Sequence, residues 1–403
     1  MSDPSEIKAS ALILVPTAAL LAPVLAYQAR RWIDVPTVVF EIALGVLIGP
    51  SVLHWVDPNS SFLQTLSQFG LAMLIFLAGF EINFADLSGG PLRRAGIAWG
   101  VSLLAAVAVA ALLPDSITTS PFVGVALTTT ALGTVLPVLR DSGELGTRFG
   151  ALVTATGAVG EFAPIVAISL LPTERSSVKS ALVLAFFGVL TLGALRWARR
   201  PRNPVLGRLI EATLRTSGQF AVRLVVTVLS LMVALAYLLQ LDILLGAFAA
   251  GVVCRLLLRE VPESQAQWID AKLEGLGFGY LVPVFFVVSG LNFDLDALLD
   301  GGTALLLLPL FLLLMLLLRG TAAALTAPGP LPRRDRVGLG LYAATGLPLI
   351  VAITTIETQA GSLSDAGAAA LVGAGMLSVL LFPLAASTVR GTANPAAADA
   401  ESW

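Results

Sequence analysis

The sequence is poor in charge, in histidine and in cysteine, and each shortage removes a class of function. Charged residues make up 12% of the 403 positions, where a soluble globular chain carries about 25%. So few charges cannot dress a water-facing surface of this size, so most of the surface must face something other than water. His54 is the only histidine and falls in a predicted loop. A histidine metal cluster or a Ser-His-Asp triad is therefore excluded from the apolar segments. Cys254 is the only cysteine, so no intrachain disulfide can form, and the residue is expected to fill a small place in the core. No glycine-rich phosphate loop follows a strand pattern. No enzyme chemistry, cofactor, resident metal or nucleic-acid partner is expected, and the net charge of -2 says little, because in a membrane protein the placement of charge matters more than its sum.

Apolar sequence is what remains. Hydrophobic residues reach 57%. Stretches long enough to cross a bilayer occur at 9–27, 35–53, 62–81, 92–113, 120–139, 149–171, 178–196, 220–239, 242–258, 273–291, 303–325, 337–357 and 366–389. A helix needs roughly 20 apolar residues for the crossing. The reading is an all-α polytopic membrane protein with 13 transmembrane helices, numbered here as spans 1 to 13. No small-residue cleavage site follows the first run, so it is expected to be a retained span and not a signal peptide.

Lys and Arg set the orientation. With the N-terminus outside, 21 of the 24 basic residues fall in inner loops or at inner ends, Arg319 and Arg390 among them. The outside keeps Lys8, Arg175 and Lys179. The expected topology is N-outside and C-cytoplasmic, in the cell membrane. The basic inner loops are explained by topology and anionic lipid.

The longest inner segment, about 196–219, divides the chain. Residues 1–171 hold spans 1–6, 172–219 a linker helix and basic loop, 220–389 spans 8–13, and 390–403 a short disordered cytoplasmic tail. The two halves resemble each other. Span 3 ends LIFLAGFEINFADL (Leu74–Leu87) and span 10 ends VFFVVSGLNFDLDAL (Val284–Leu298); span 2 carries Gly45 and Gly49 where span 9 carries Gly246 and Gly251. Seven spans separate each pair, and an odd number inverts the second copy. Two inverted six-helix repeats place a transport site between halves at the midplane.

Span 6 carries Glu161 near its middle. An ionised side chain at the bilayer centre costs about 3 kcal/mol, so a proton or a cation must neutralise it, which is the outline of an exchanger. Spans 5 and 12 occupy equivalent positions in the two halves. Span 5 has Thr128, Thr129 and Thr130 followed by Gly133 and Pro137; span 12 has Thr345, Gly346 and Pro348. Proline removes a backbone donor, so both helices should kink or unwind near their centres. Freed carbonyls and threonine hydroxyls are hard oxygen ligands suited to alkali cations.

Four segments in order resemble one family: VPTVVFEIALGVLIGPSVL (Val35–Leu53), FGLAMLIFLAGFEINFADL (Phe69–Leu87), ALTTTALGTVLPVLRDSGELGTRFGALVTATGAVGEF (Ala126–Phe162) and PVFFVVSGLNFDLDAL (Pro283–Leu298). They are similar to the monovalent cation:proton antiporter superfamily, in its second branch of bacterial sodium–proton and potassium-efflux antiporters. The resemblance runs from about residue 10 to 388. It implies an antiporter fold in which spans 5 and 12 are crossed discontinuous helices. Spans 4–6 and 11–13 would form a mobile core, and spans 1–3 and 8–10 a domain that makes a homodimer. It places the family's ion-binding carboxylate on Glu161, with Thr130 and Thr129 opposite, and makes Glu161 the ligand of a transported cation only.

The family usually offers a polar pair on span 6, and here its first member falls on Gly160. The family's buried ionisable residue in span 12 is also missing. One carboxylate without an internal cation can hold one proton or one alkali ion at a time, which predicts electroneutral exchange. Glu41 on span 2 is expected to snorkel or to hydrogen-bond a neighbour, and Asp141 and Glu144 to pair with Arg140 and Arg148. Two other functions fit less well. A sodium-coupled organic-anion symporter shares such a core but usually lacks the midspan carboxylate. A transport-inactive sensor would keep the fold and lose the site.

Overall fold

The computed structural model describes residues 9–29, 36–58, 60–81, 90–112, 121–145, 147–170, 185–191, 193, 196, 212–213, 218–239, 241, 243–258, 261–300, 302–359 and 361–390. All regular structure among them is helical. The helices are α1 (Ala9–Ala29), α2 (Thr37–Ile48), α3 (Ser61–Glu81), α4 (Gly90–Leu112), α5 (Pro121–Ala126), α6 (Leu132–Asp141) and α7 (Arg148–Leu170). The second half holds α8 (Phe220–Leu238), α9 (Ile243–Leu257), α10 (Glu263–Leu276), α11 (Val282–Leu291), α12 (Leu295–Asp300), α13 (Gly302–Leu314), α14 (Thr321–Thr326), α15 (Arg333–Ala344), α16 (Pro348–Gln359) and α17 (Asp365–Arg390). Two π-helical turns, Gly277–Leu281 and Met315–Gly320, join α10 to α11 and α13 to α14.

Nine helices or continuous helical runs among the described residues are long and apolar enough to cross a membrane, and α2 and α9 are shorter apolar helices. The chain is thus a multi-pass membrane protein. Helix occurs at every expected span, in whole or in part. Span 7 is represented by the helical residues 185–191, and the remainder of 178–196 lies almost entirely outside the described residues, as do 197–211 and the tail 391–403. Span 10 begins earlier than hydropathy suggests, because α10 brings Glu263, Asp270, Lys272 and Glu274 into the same continuous helix.

The chain divides into two compact units. One comprises Met1–Ala19, Val56–Ile82 and Ile165–Val288. Its core joins Met73, Phe76, Leu77 and Phe80 of α3 to Ala250 and Cys254 of α9, with Ile269 and Leu273 of α10 beneath them. Cys254, 1% exposed, occupies the small core place expected for it. Here α3 and α9 meet backbone to backbone. A side chain at Gly79 would strike the Phe248 carbonyl, and one at Gly251 would lie 2.9 Å from the Gly79 carbonyl carbon.

The other unit comprises Leu20–Trp55, Asn83–Pro164 and Ser289–Trp403. In it α2 meets the end of α11 the same way. A side chain at Gly290 would strike the Ile42 carbonyl and lie 2.9 Å from the Gly45 Cα. Gly290 and Gly79 hold equivalent places in the repeated sequence, and so do their partners. The contacts therefore repeat within each unit. They equate Gly45 with Gly251, where the sequence alone had paired it with Gly246.

Candidate functional site

Spans 5 and 12 are both broken, and the breaks meet. In span 5, α5 stops at Ala126 because Thr128 and Thr129 turn their hydroxyls back on the carbonyls of Val125 and Ala126, at 2.7 and 2.8 Å. Such local side-chain bonds compete with helix continuation. Helix resumes at Leu132. The interruption is thus Leu127–Ala131, and Gly133 and Pro137 lie within α6, past the break and not at its centre. Span 12 breaks where expected. Thr345 is extended (φ -71°, ψ 116°), and Pro348 opens α16 at the first helical position, where a missing N–H costs nothing.

The two breaks are tied by direct bonds. The Ala131 N–H donates to the Thr345 carbonyl at 2.7 Å, and the Thr130 hydroxyl donates to the Ala343 carbonyl, also at 2.7 Å. Behind span 12, the Ser378 hydroxyl of α17 accepts from the Gly346 N–H at 3.0 Å. Two helix C-termini (α5, α15) and two N-termini (α6, α16) converge, bringing partial charges of both signs to one place. Thr128, Thr129, Thr130 and Thr345 are all buried to 3% exposure or less.

Helix α7 lies against this crossing. It starts sharply because the Thr147 hydroxyl accepts from the Gly150 N–H at 3.0 Å, an N-cap. Further along, Pro164 sits inside the helix and has no N–H for the carbonyl one turn back. That carbonyl belongs to Gly160, and it accepts instead from the Thr130 N–H at 2.9 Å. Glu161, 3% exposed, follows directly. The structure thus brings Thr129, Thr130, Thr345 and Gly346 together beside Gly160, the neighbour of Glu161.

One residue of the crossing escaped the sequence reading. Arg319 is completely buried, so it does not belong with the inner-loop cations. It lies in the π-turn Met315–Gly320, and π-turns recur at functional sites. There the backbone of Gly320 packs on Gly340 of α15, where a side chain on either would fall within 3.0 Å of the other's carbonyl oxygen. The guanidinium donates from Nε to the Thr130 hydroxyl at 3.0 Å and from Nη2 to the Thr156 carbonyl at 2.8 Å. Its Nη1 makes no hydrogen bond. The statement that the site has no internal cation is therefore wrong: the cation comes from span 11, where a lone Arg closing a leucine-rich run, followed by glycine, was the available signal.

A second cluster lies at the C-terminal end of α17. Arg390, the last residue of α17, pairs with Glu144 after span 5 and with Asp335 of α15, the latter at 2.9 Å. Its guanidinium lies 3.4 Å from the centre of the Phe149 ring. Glu144 thus pairs with Arg390 and not with the expected Arg148, while the side chains of Arg140 and Asp141 lie outside the described residues. Arg148 is exposed, while Glu144 is buried against the far end of the chain. Glu41 is buried as well, at 7% exposure, and does not snorkel to the interface.

The family profile described as "Sodium/hydrogen exchanger, transmembrane" matches residues 17–389. A Na(+)/H(+) antiporter of Enterococcus hirae is 26% identical over 91% of this chain and 94% of its own. YjbQ of Bacillus subtilis, named for Na(+)/H(+) antiport, is 25% identical over 93% of this chain, and GerN of Bacillus cereus, a Na(+)/H(+)-K(+) antiporter, 26% over 65%. The chain spans 62% of the length of YjbQ and 66% of GerN. The solved structure of the sodium proton antiporter MjNhaP1 of Methanocaldococcus jannaschii superposes with TM-score 0.68, covering 94% of this chain and 95% of that one at 16% identity. With a broken-helix crossing beside a buried carboxylate, the antiporter fold, and a family profile over most of its length, the chain belongs to the sodium/hydrogen exchanger family of transmembrane proteins.

Proposed function

We propose that this protein exchanges a monovalent cation, Na⁺ or K⁺, for protons across the cell membrane, by competition of the two at Glu161 in alternating access. The observation that carries the reading is a buried glutamate beside two interrupted helices whose carbonyls and hydroxyls face each other. A desolvated carboxylate must hold a proton or a cation, and the oxygens of the crossing suit an alkali ion. The names of the relatives support the choice of ions.

Arg319 alters the charge count but not the stoichiometry. A guanidinium keeps its proton under all working conditions, so it adds one positive charge to every state of the site. The proton-loaded and cation-loaded forms then carry equal charge, and one-for-one exchange moves none net. A lysine could release its own proton and break that equality. The two outcomes differ in the response to voltage.

The N-terminus is placed outside and the C-terminus in the cytoplasm. The protein is a transporter and not an enzyme, working as a homodimer. Everted vesicles containing the protein should dissipate an imposed proton gradient on addition of Na⁺, K⁺ or Li⁺. Silence with all three ions would sink the proposal and favour the transport-inactive sensor.

A further inference from the structure

We infer that Arg390 is a positioning residue for the exchange site: it clamps the base of the hairpin whose far end carries the span 5 break and Glu161. The inference rests on the exchange reading and adds a part that no transported ion touches. Helix α6 leaves the break at Leu132, ends at Asp141, and the chain returns as α7 to Gly160 and Glu161. The turn between them is compact around Glu144. The Glu144 carbonyl accepts from the Thr147 N–H at 3.0 Å and from the Thr147 hydroxyl at 2.8 Å. It also lies so close to Gly150 that a side chain there would strike it. Whatever holds Glu144 therefore holds the start of α7.

Arg390 does so from the end of α17. Its guanidinium pairs with the Glu144 carboxylate, donates from Nε to Asp335 of α15 at 2.9 Å, and covers the Phe149 ring of α7. That ring in turn meets Tyr342 of α15. The arginine stem is closely fitted as well, because a Cβ on Gly338 would fall 2.5 Å from its Cδ. The hairpin is thus tied to α15 twice. One tie is the crossing, where Thr130 and Ala131 bond the carbonyls of Ala343 and Thr345. The other is the Arg390 clamp at Asp335, about 12 Å earlier along the helix at 1.5 Å per residue. Two ties set the register of the hairpin along α15, where one would let it swing. Losing the clamp adds the cost of ordering the break to each cation bound. Apparent binding should weaken, while a loaded site turns over as before.

The test is cation-driven proton flux by the full chain in proteoliposomes, for Arg390→Gln and for Gly338→Ala, which crowds the arginine and keeps every charge. Both should raise the cation concentration for half-maximal exchange about fivefold, with the maximal rate per folded protein near wild type. Arg255→Gln is the control. It breaks the ion pair with Asp270, beside the Phe80 ring in the other unit, and should leave the half-maximal concentration unmoved. An unmoved half-maximal concentration in either test variant, or an equal rise in the control, overturns the inference and leaves the exchange reading intact. If the wild-type chain exchanges no cation, the exchange reading falls, and hydrogen–deuterium exchange of the Thr130 and Ala131 amides in detergent decides the inference. Those amides should exchange faster in Arg390→Gln than in wild type, although the substitution lies at the other end of the hairpin. Unchanged protection there refutes the clamp.

Discussion

Replacing Thr130 by valine isolates the chemistry of the crossing from its packing. The two side chains are nearly isosteric, so no cavity opens, and only the hydroxyl is lost. That hydroxyl does two jobs at once: it donates to the Ala343 carbonyl at 2.7 Å and accepts from Arg319 Nε at 3.0 Å. Neither partner can turn to water, because Thr130 is 3% exposed and Arg319 fully buried. A neutral hydrogen bond contributes about 1 kcal/mol and one to a charged group about 1.5–3. The expected loss is therefore about 2–4 kcal/mol, concentrated where spans 5, 11 and 12 join. Thermal unfolding of the detergent-purified protein should show a drop of several degrees for Thr130→Val and a much smaller one for Thr130→Ser. Cation-driven proton flux in proteoliposomes should fall in the same order, valine far below serine and serine near wild type. A valine variant with wild-type melting and wild-type flux would refute the view that this hydroxyl binds the crossing together.

Three other outcomes follow from the same geometry. Arg390→Gln leaves Glu144 buried without its cation, which typically costs about 3 kcal/mol or more; the variant should melt lower than wild type, and Arg148→Gln, at an exposed residue, should not. Ser378→Ala removes the acceptor that holds the Gly346 N–H at 3.0 Å, so the cation concentration for half-maximal exchange should rise while expression holds. Gly79→Val would drive a branched side chain into the Phe248 carbonyl, and the protein should fail to accumulate in the membrane, as judged by size-exclusion chromatography in detergent.

The sequence made some of this structure legible for definite reasons. A carboxylate in the middle of a spanning helix is costly enough to announce itself, and Glu161 did. Pro348 marked the restart of span 12 because proline suits the first position of a helix. Pro137 misled by the same reasoning: it pulled the expected break of span 5 past its true place, which local threonine hydroxyls determine by bonding to Val125 and Ala126. Pro164 had a further meaning that hydropathy does not carry, since it frees the Gly160 carbonyl for Thr130. Arg319 was hidden because an apolar run ending in arginine reads the same whether the side chain snorkels or turns inward. Only the π-turn and the empty place at Gly160 distinguish the two, and neither has a periodic signature. The Arg390–Glu144 pair was hidden by distance, the two lying 246 positions apart. The likeness of the two halves was visible in their glycines, but its register came from which carbonyls they approach.

Proton–cation competition at Glu161 is tested most directly by comparing wild type with Glu161→Gln in proteoliposomes, measuring cation-driven proton flux with the membrane potential clamped at several values. Glutamine keeps the shape and the hydrogen-bonding reach of the side chain and removes its charge and its proton. Wild-type flux should not change with the clamped potential, and Glu161→Gln should show none although the variant is folded and present. Exchange by Glu161→Gln at the wild-type rate would contradict competition at this carboxylate.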